Sequence, residues 1–84
     1  MGGVEVARYH LTATVWQEGD QYVSRCPELG VASCGDTADE AVDALREAVE
    51  LYLENAKELG LLPDLEATLS APHRFCSAIE VSVP

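Results

Sequence analysis

The sequence predicts an α+β fold of element order β-β-β-α-β: a four-stranded mixed sheet, strand order 3-2-1-4, with one long helix on one face. Three observations lead there. Residues 8–17, RYHLTATVWQ, alternate apolar and polar side chains. Residues 36–60 carry apolar side chains at helical spacing between a capping signal and a glycine. Residues 75–83, FCSAIEVSV, alternate again.

In the first strand Tyr9, Leu11, Ala13 and Val15 point one way, and His10, Thr12, Thr14 and Trp16 the other. Period two with β-branched and aromatic side chains is strand chemistry. EGDQ (18–21) reads as a turn, because Gly19 tolerates positive φ and Asp20 can hydrogen-bond its own backbone. YVSRC (22–26) returns as a second strand and closes a hairpin. Pro27 has no N–H to donate to a ladder, so the strand stops there. After the loop PELG (27–30), VASCG (31–35) makes a short third strand, and the three form an antiparallel meander.

The helix is the clearest element. Thr37 and Glu40 stand at capping-box spacing. Asp36, Asp39 and Glu40 lie where the helix macrodipole favours negative charge. Ala41, Val42, Leu45, Ala48, Val49, Tyr52, Leu53 and Ala56 form an apolar stripe, and Gly60 stands just past the end. The spacing predicts a helix over 38–59. Segment 61–74 is punctuated by Pro63 and Pro72; DLEATL within it could make one helical turn, and its role is open.

In the alternating segment 75–83, Phe75, Ile79, Val81 and Val83 share a face with Ser77, which predicts a fourth strand. A right-handed crossover through the helix places that strand beside the first and parallel to it. The opposite sheet face, with Trp16 and His10, is then uncovered, and both sheet edges are open. Open edges need protection or a partner.

The chain has 84 residues, room for a single domain (1–84) with a thin core. Its composition, 48% hydrophobic and 24% charged, is that of a folded protein rather than a disordered one. Fifteen acids against five Lys and Arg give a net charge of -10, which repels phosphate backbones and disfavours direct nucleic-acid binding. Such a charge suits a basic protein partner, or solubility alone. Cys26, Cys34 and Cys76 are odd in number and lack Cys-x-x-Cys spacing. With no signal-peptide pattern and no apolar run of membrane-spanning length, free thiols in a cytoplasmic protein are expected.

YHLTATVWQEGDQYVSRCPEL, a strand, a Gly-Asp turn and a strand ending in Pro-Glu-Leu, is followed by GDTADEAVDALREAVELYLE, with its Gly35-Asp36-Thr37 lead and Glu40-Ala41 pair. In their order and spacing these stretches, over residues 8–58, resemble the HicB-like antitoxin family. The resemblance implies a partial RNase H-type fold and a protein that binds and silences a small basic ribonuclease toxin. Full-length members usually add a C-terminal DNA-binding domain. Here only Pro84 follows Val83 and no basic helix is present, so operator binding does not carry over.

Asp39, Asp43, Glu47, Glu50, Glu54 and Glu58 step by three or four along one side of the helix. They are either a solvated face or an electrostatic mimic of RNA phosphate that steers a basic toxin into contact. On the second reading Asp43, Glu47, Glu50 and Glu54 are the expected partner contacts, with Glu28 and Leu29 of loop 27–30. Trp16, His10, Phe75 and Ile79 are the expected oligomer interface of a dimer or tetramer. Two rivals stand beside this: an orphan self-associating protein with no toxin partner, and a weak or degenerate RNase H-like hydrolase. The converging carboxylates that a metal-dependent nuclease needs are missing, since strand four offers Glu80 alone and Asp20, Glu28 and Asp36 sit at turns or at the cap. His10 and His73 stand at no zinc-ligand spacing, and no nucleophile elbow or glycine-rich phosphate loop occurs. No enzyme activity, metal or cofactor is expected.

Overall fold

The computed structural model describes residues 8–71 and 75–84. The elements run β1 (Thr14–Glu18), β2 (Gln21–Cys26), β3 (Val31–Gly35), α1 (Ala38–Glu58) and α2 (Leu62–Leu69). The sheet is three-stranded and antiparallel throughout, in the order β1-β2-β3.

The meander is the one the turn chemistry predicts. Glu18 pairs with Gln21, so Gly19 and Asp20 form a two-residue hairpin loop, with Gly19 at φ 60°. The register then sets the two faces. Val15 lies opposite Ser24 and Ser24 opposite Ser33, on the helix side; Trp16 lies opposite Val23 and Val23 opposite Cys34, on the uncovered side.

Helix α1 begins at the predicted cap. The Thr37 hydroxyl accepts from the Glu40 N–H at 3.1 Å, and the Glu40 carboxylate accepts from the Asp36 N–H at 3.0 Å. The return bond goes to Asp36 rather than to Thr37 itself, so the capping box is one residue wide of its usual form. At the other end Gly60 takes φ 73°. Its N–H bonds the Lys57 carbonyl at 3.1 Å, and the Leu61 N–H bonds the Ala56 carbonyl at 2.8 Å, which is a Schellman cap.

Apolar spacing aims Ala41, Leu45 and Ala56 inward, and all three are buried. Cys26 and Leu69 complete the buried apolar set among the described residues. The helix packs chiefly on β3, then on β2, and least on β1. Two contacts lock it there. Ser24, fully buried, donates its hydroxyl to the Ala41 carbonyl at 2.7 Å. Gly35 lies so close to the first helical turn that a Cβ would stand 2.7 Å from the Ala41 nitrogen.

Three expectations are corrected. First, the four-stranded 3-2-1-4 sheet is not formed: the order β1-β2-β3 has no fourth member, and residues 75–84 carry no strand. Alternation tells what a segment can do when a neighbour accepts it, and here the segment meets none, for every residue from Phe75 to Pro84 is exposed. Second, β1 is shorter than residues 8–17, because its ladder begins at Thr14. Third, segment 61–74 contains a real helix, α2, rather than one isolated turn, with Pro63 in its first turn, where a missing N–H costs nothing. Leu69 seals α2 and is 3% exposed. The radius of gyration is 15.5 Å. A compact domain of this length has about 12 Å, so the described chain is extended.

Candidate functional site

The outer side of α1 is built by spacing alone. Asp39, Asp43, Glu47, Glu50, Glu54 and Glu58 are all exposed, on the side opposite the buried Ala41, Leu45 and Ala56. Glu40, on the same outer side, is held in the cap. The helix carries two cations, Arg46 and Lys57. Arg46 pairs with Asp43 at 3.0 Å, and with both partners well exposed that pair adds little. The four helical acids expected to meet a partner thus stand on one solvent-facing strip, spread over about three turns.

Loop 27–30 is arranged differently. Glu28 is half-buried, and its carboxylate turns back to the chain before β1. It accepts from the Thr12 N–H at 3.0 and 3.2 Å and from the Thr12 hydroxyl at 2.8 Å. Burial alone pushes the Glu28 carboxyl up, but the Thr12 hydroxyl, its own N–H, the Thr12 N–H and the Cys26 thiol together hold it below the usual carboxylate range. Leu29 is half-buried as well, with its N–H on the Cys26 carbonyl at 3.3 Å. The Cys26 thiol donates to Glu28 at 3.5 Å and is 1% exposed. Burial, then the Glu28 bond and charge, push that thiol up against the backbone N–H groups of Leu29 and Glu28.

Because α1 favours β3, its far side stands off from the chain before β1. A groove of about 600 Å³ opens between residues 8–13 and α1. Its floor is apolar: Tyr9, Leu11, Val42, Leu45, Val49 and Leu53. Arg8, Arg46 and Glu50 bring charge to it. A smaller hollow, about 370 Å³, lies between the end of α1 and α2, among Tyr52, Leu59, Leu61 and Leu65.

The residues expected at an oligomer interface lie on three different parts of the molecule. Trp16 is on the uncovered sheet face, 41% exposed, with its indole N–H on Glu18 at 2.9 Å. His10 is exposed beside the groove. Phe75 and Ile79 stand in segment 75–84, which carries no helix or strand, 89% and 83% exposed.

Sequence reasoning missed the groove and the bond between Glu28 and Thr12. The bond links residues sixteen apart, and nothing in either local pattern announces it. The groove exists only because of where α1 sits on the sheet.

Among the described residues no three His, Cys, Asp or Glu side chains are placed to hold a metal ion. Asp36 and Glu80 are exposed, Asp36 at the lead into the cap and Glu80 in segment 75–84. No described helix is long and apolar enough to cross a membrane. No protein-family model, curated protein or solved structure matches the chain.

Proposed function

We propose that this chain is a non-enzymatic interaction protein that receives a basic protein on the outer side of α1, and that its partner is a small basic ribonuclease of the toxin class implied by the HicB-like resemblance. The observation that carries the reading is the acidic strip itself. Asp43, Glu47, Glu50 and Glu54 are presented together to solvent, and the one ion pair found there, Asp43–Arg46, lies at its edge. Aligned charge of one sign speeds encounter with a partner of the opposite sign and selects against others. Occlusion is the mechanism: the strip covers the cationic surface with which a ribonuclease holds RNA phosphate. We place such a pair in a reducing compartment, which suits the three free cysteines.

The test is to search the adjacent reading frames for a short basic protein and to co-express the chain with any that is found. The reading expects a complex that protects RNA from cleavage and that weakens as salt rises. A Glu47→Lys, Glu50→Lys, Glu54→Lys variant that folds and still protects RNA would overturn it.

A second reading has its own observation. Phe75, Ile79, Val81 and Val83 are between 70% and 89% exposed, an apolar series that favours self-association into a dimer or tetramer. It is compatible with the first, and stands without it if no basic partner exists.

A further inference from the structure

We infer that the segment Phe75–Val83 of one copy fills the groove between residues 8–13 and α1 of a second copy, and that two chains exchange these segments reciprocally. This rests on the self-association reading above and goes beyond it by naming the two surfaces.

Four observations carry it. The groove is apolar and long enough for several side chains, about 600 Å³ over Tyr9, Leu11, Val42, Val49 and Leu53. Among the described residues the segment is the largest exposed apolar series, with Phe75 at 89%, Ile79 at 83%, Val81 at 70% and Val83 at 87% exposure. Charge offers one match: Glu80 is the only charged side chain in the segment, and Arg8 lines the groove, beside Glu50 and an Arg46 already paired with Asp43. Finally, in its own chain the segment seats nowhere, since residues 75–84 are exposed throughout. A second copy offers the same groove, and a two-fold axis lets both segments bind at once. Such an exchange buries in one step the two apolar surfaces that a single chain leaves wet. The residues next to β1 lend it a template, because the ladder on β1 ends at Thr14 and the sheet's outer edge lies there.

The experiment measures mass by sedimentation equilibrium for the full chain, an Ile79→Asp, Val81→Asp variant and a Val49→Asp variant, with circular dichroism as a folding check. The full chain is expected to be an even-numbered oligomer, and each variant to associate roughly tenfold or more weakly. Mixing the two variants is expected to restore association in part, because the intact segment of one meets the intact groove of the other while the second contact carries both lesions. Should Val49→Asp fail to fold, a labelled peptide of residues 75–84 is titrated onto the chain ending at Ala71, a cut that removes no described strand or helix. Saturable binding, competed by unlabelled peptide, supports the inference. An oligomer that persists in the segment variant overturns the exchange and spares self-association. A monomeric full chain overturns both, and peptide binding alongside a monomer assigns the groove to the chain's own segment instead.

Discussion

The Glu28 carboxylate grips Thr12 at both ends of its backbone-to-side-chain reach, the N–H at 3.0 Å and the hydroxyl at 2.8 Å. These contacts tie the chain before β1 to the loop after β2, and they hold Thr12, one of the residues that line the groove. Glu28, expected from the sequence to meet a partner, thus also acts within the fold as a clasp.

The clasp makes stability depend on pH in a defined direction. The Glu28 carboxyl titrates lower in the folded chain than in the unfolded one. Its contribution is therefore complete above the unfolded carboxylate pKa, about 4.3, and is lost as pH falls through that value toward the lower folded one. Glu28→Gln is expected to cost about 1–2 kcal/mol at neutral pH, near the low end because the group is only half-buried. The difference from the parent should shrink in acid. Urea titrations of both proteins across that pH range check it.

Ser24 supplies the other link between layers. Its hydroxyl meets the Ala41 carbonyl at 2.7 Å with no exposure to solvent. Ser24→Ala removes the donor and leaves a small void, so a loss of about 0.5–1.5 kcal/mol is expected. In a chain this size that lowers the melting temperature by several degrees, about 4–8 °C per kcal/mol. Calorimetry reads it directly.

Gly35 is constrained by space. An added methyl would lie 2.7 Å from the Ala41 nitrogen and 2.8 Å from the Glu40 carbonyl carbon, and neither backbone atom can rotate away. Gly35→Ala is expected to shift the first turn of α1 and destabilise by about 1–3 kcal/mol. Chemical denaturation gives the magnitude, and weaker amide protection at Ala41 and Val42 than elsewhere in α1 gives the location.

The acidic strip works against its own helix. Glu47 and Glu50, Glu50 and Glu54, and Glu54 and Glu58 stand three or four residues apart and repel. Changing Glu47, Glu50 and Glu54 to Gln is therefore expected to stabilise the chain by about 0.5–1 kcal/mol at low salt, with the gain fading as salt rises. The same variant should bind a basic partner less tightly. A variant that is no more stable would show the charges already screened.

What was legible in the sequence was local. The hairpin turn at Gly19, the stop at Pro27, the Thr37 cap and the Gly60 exit each depend on a few adjacent residues, and each stands where the spacing put it. The fourth strand failed because pairing is not a local property: Phe75, Ile79, Val81 and Val83 alternate correctly but have no ladder to join. Helix α2 was obscured by Pro63, which reads as a breaker yet is tolerated in a first turn. The outward acids could be placed by counting turns. The pairing of Glu28 with Thr12 could not, since it depends on how the loop after β2 folds back over the chain leading into β1.

The three thiols divide into two kinds, and the division makes the molecule its own stopwatch. Cys34 and Cys76 are open to an alkylating reagent, whereas Cys26 is buried at the inner wall of the groove beside a carboxylate that discourages its ionisation. A reagent reaches Cys26 only while the chain around the groove opens, whether at α1 or at the Glu28–Thr12 contact. The slow phase of thiol modification thus times that breathing without any added label.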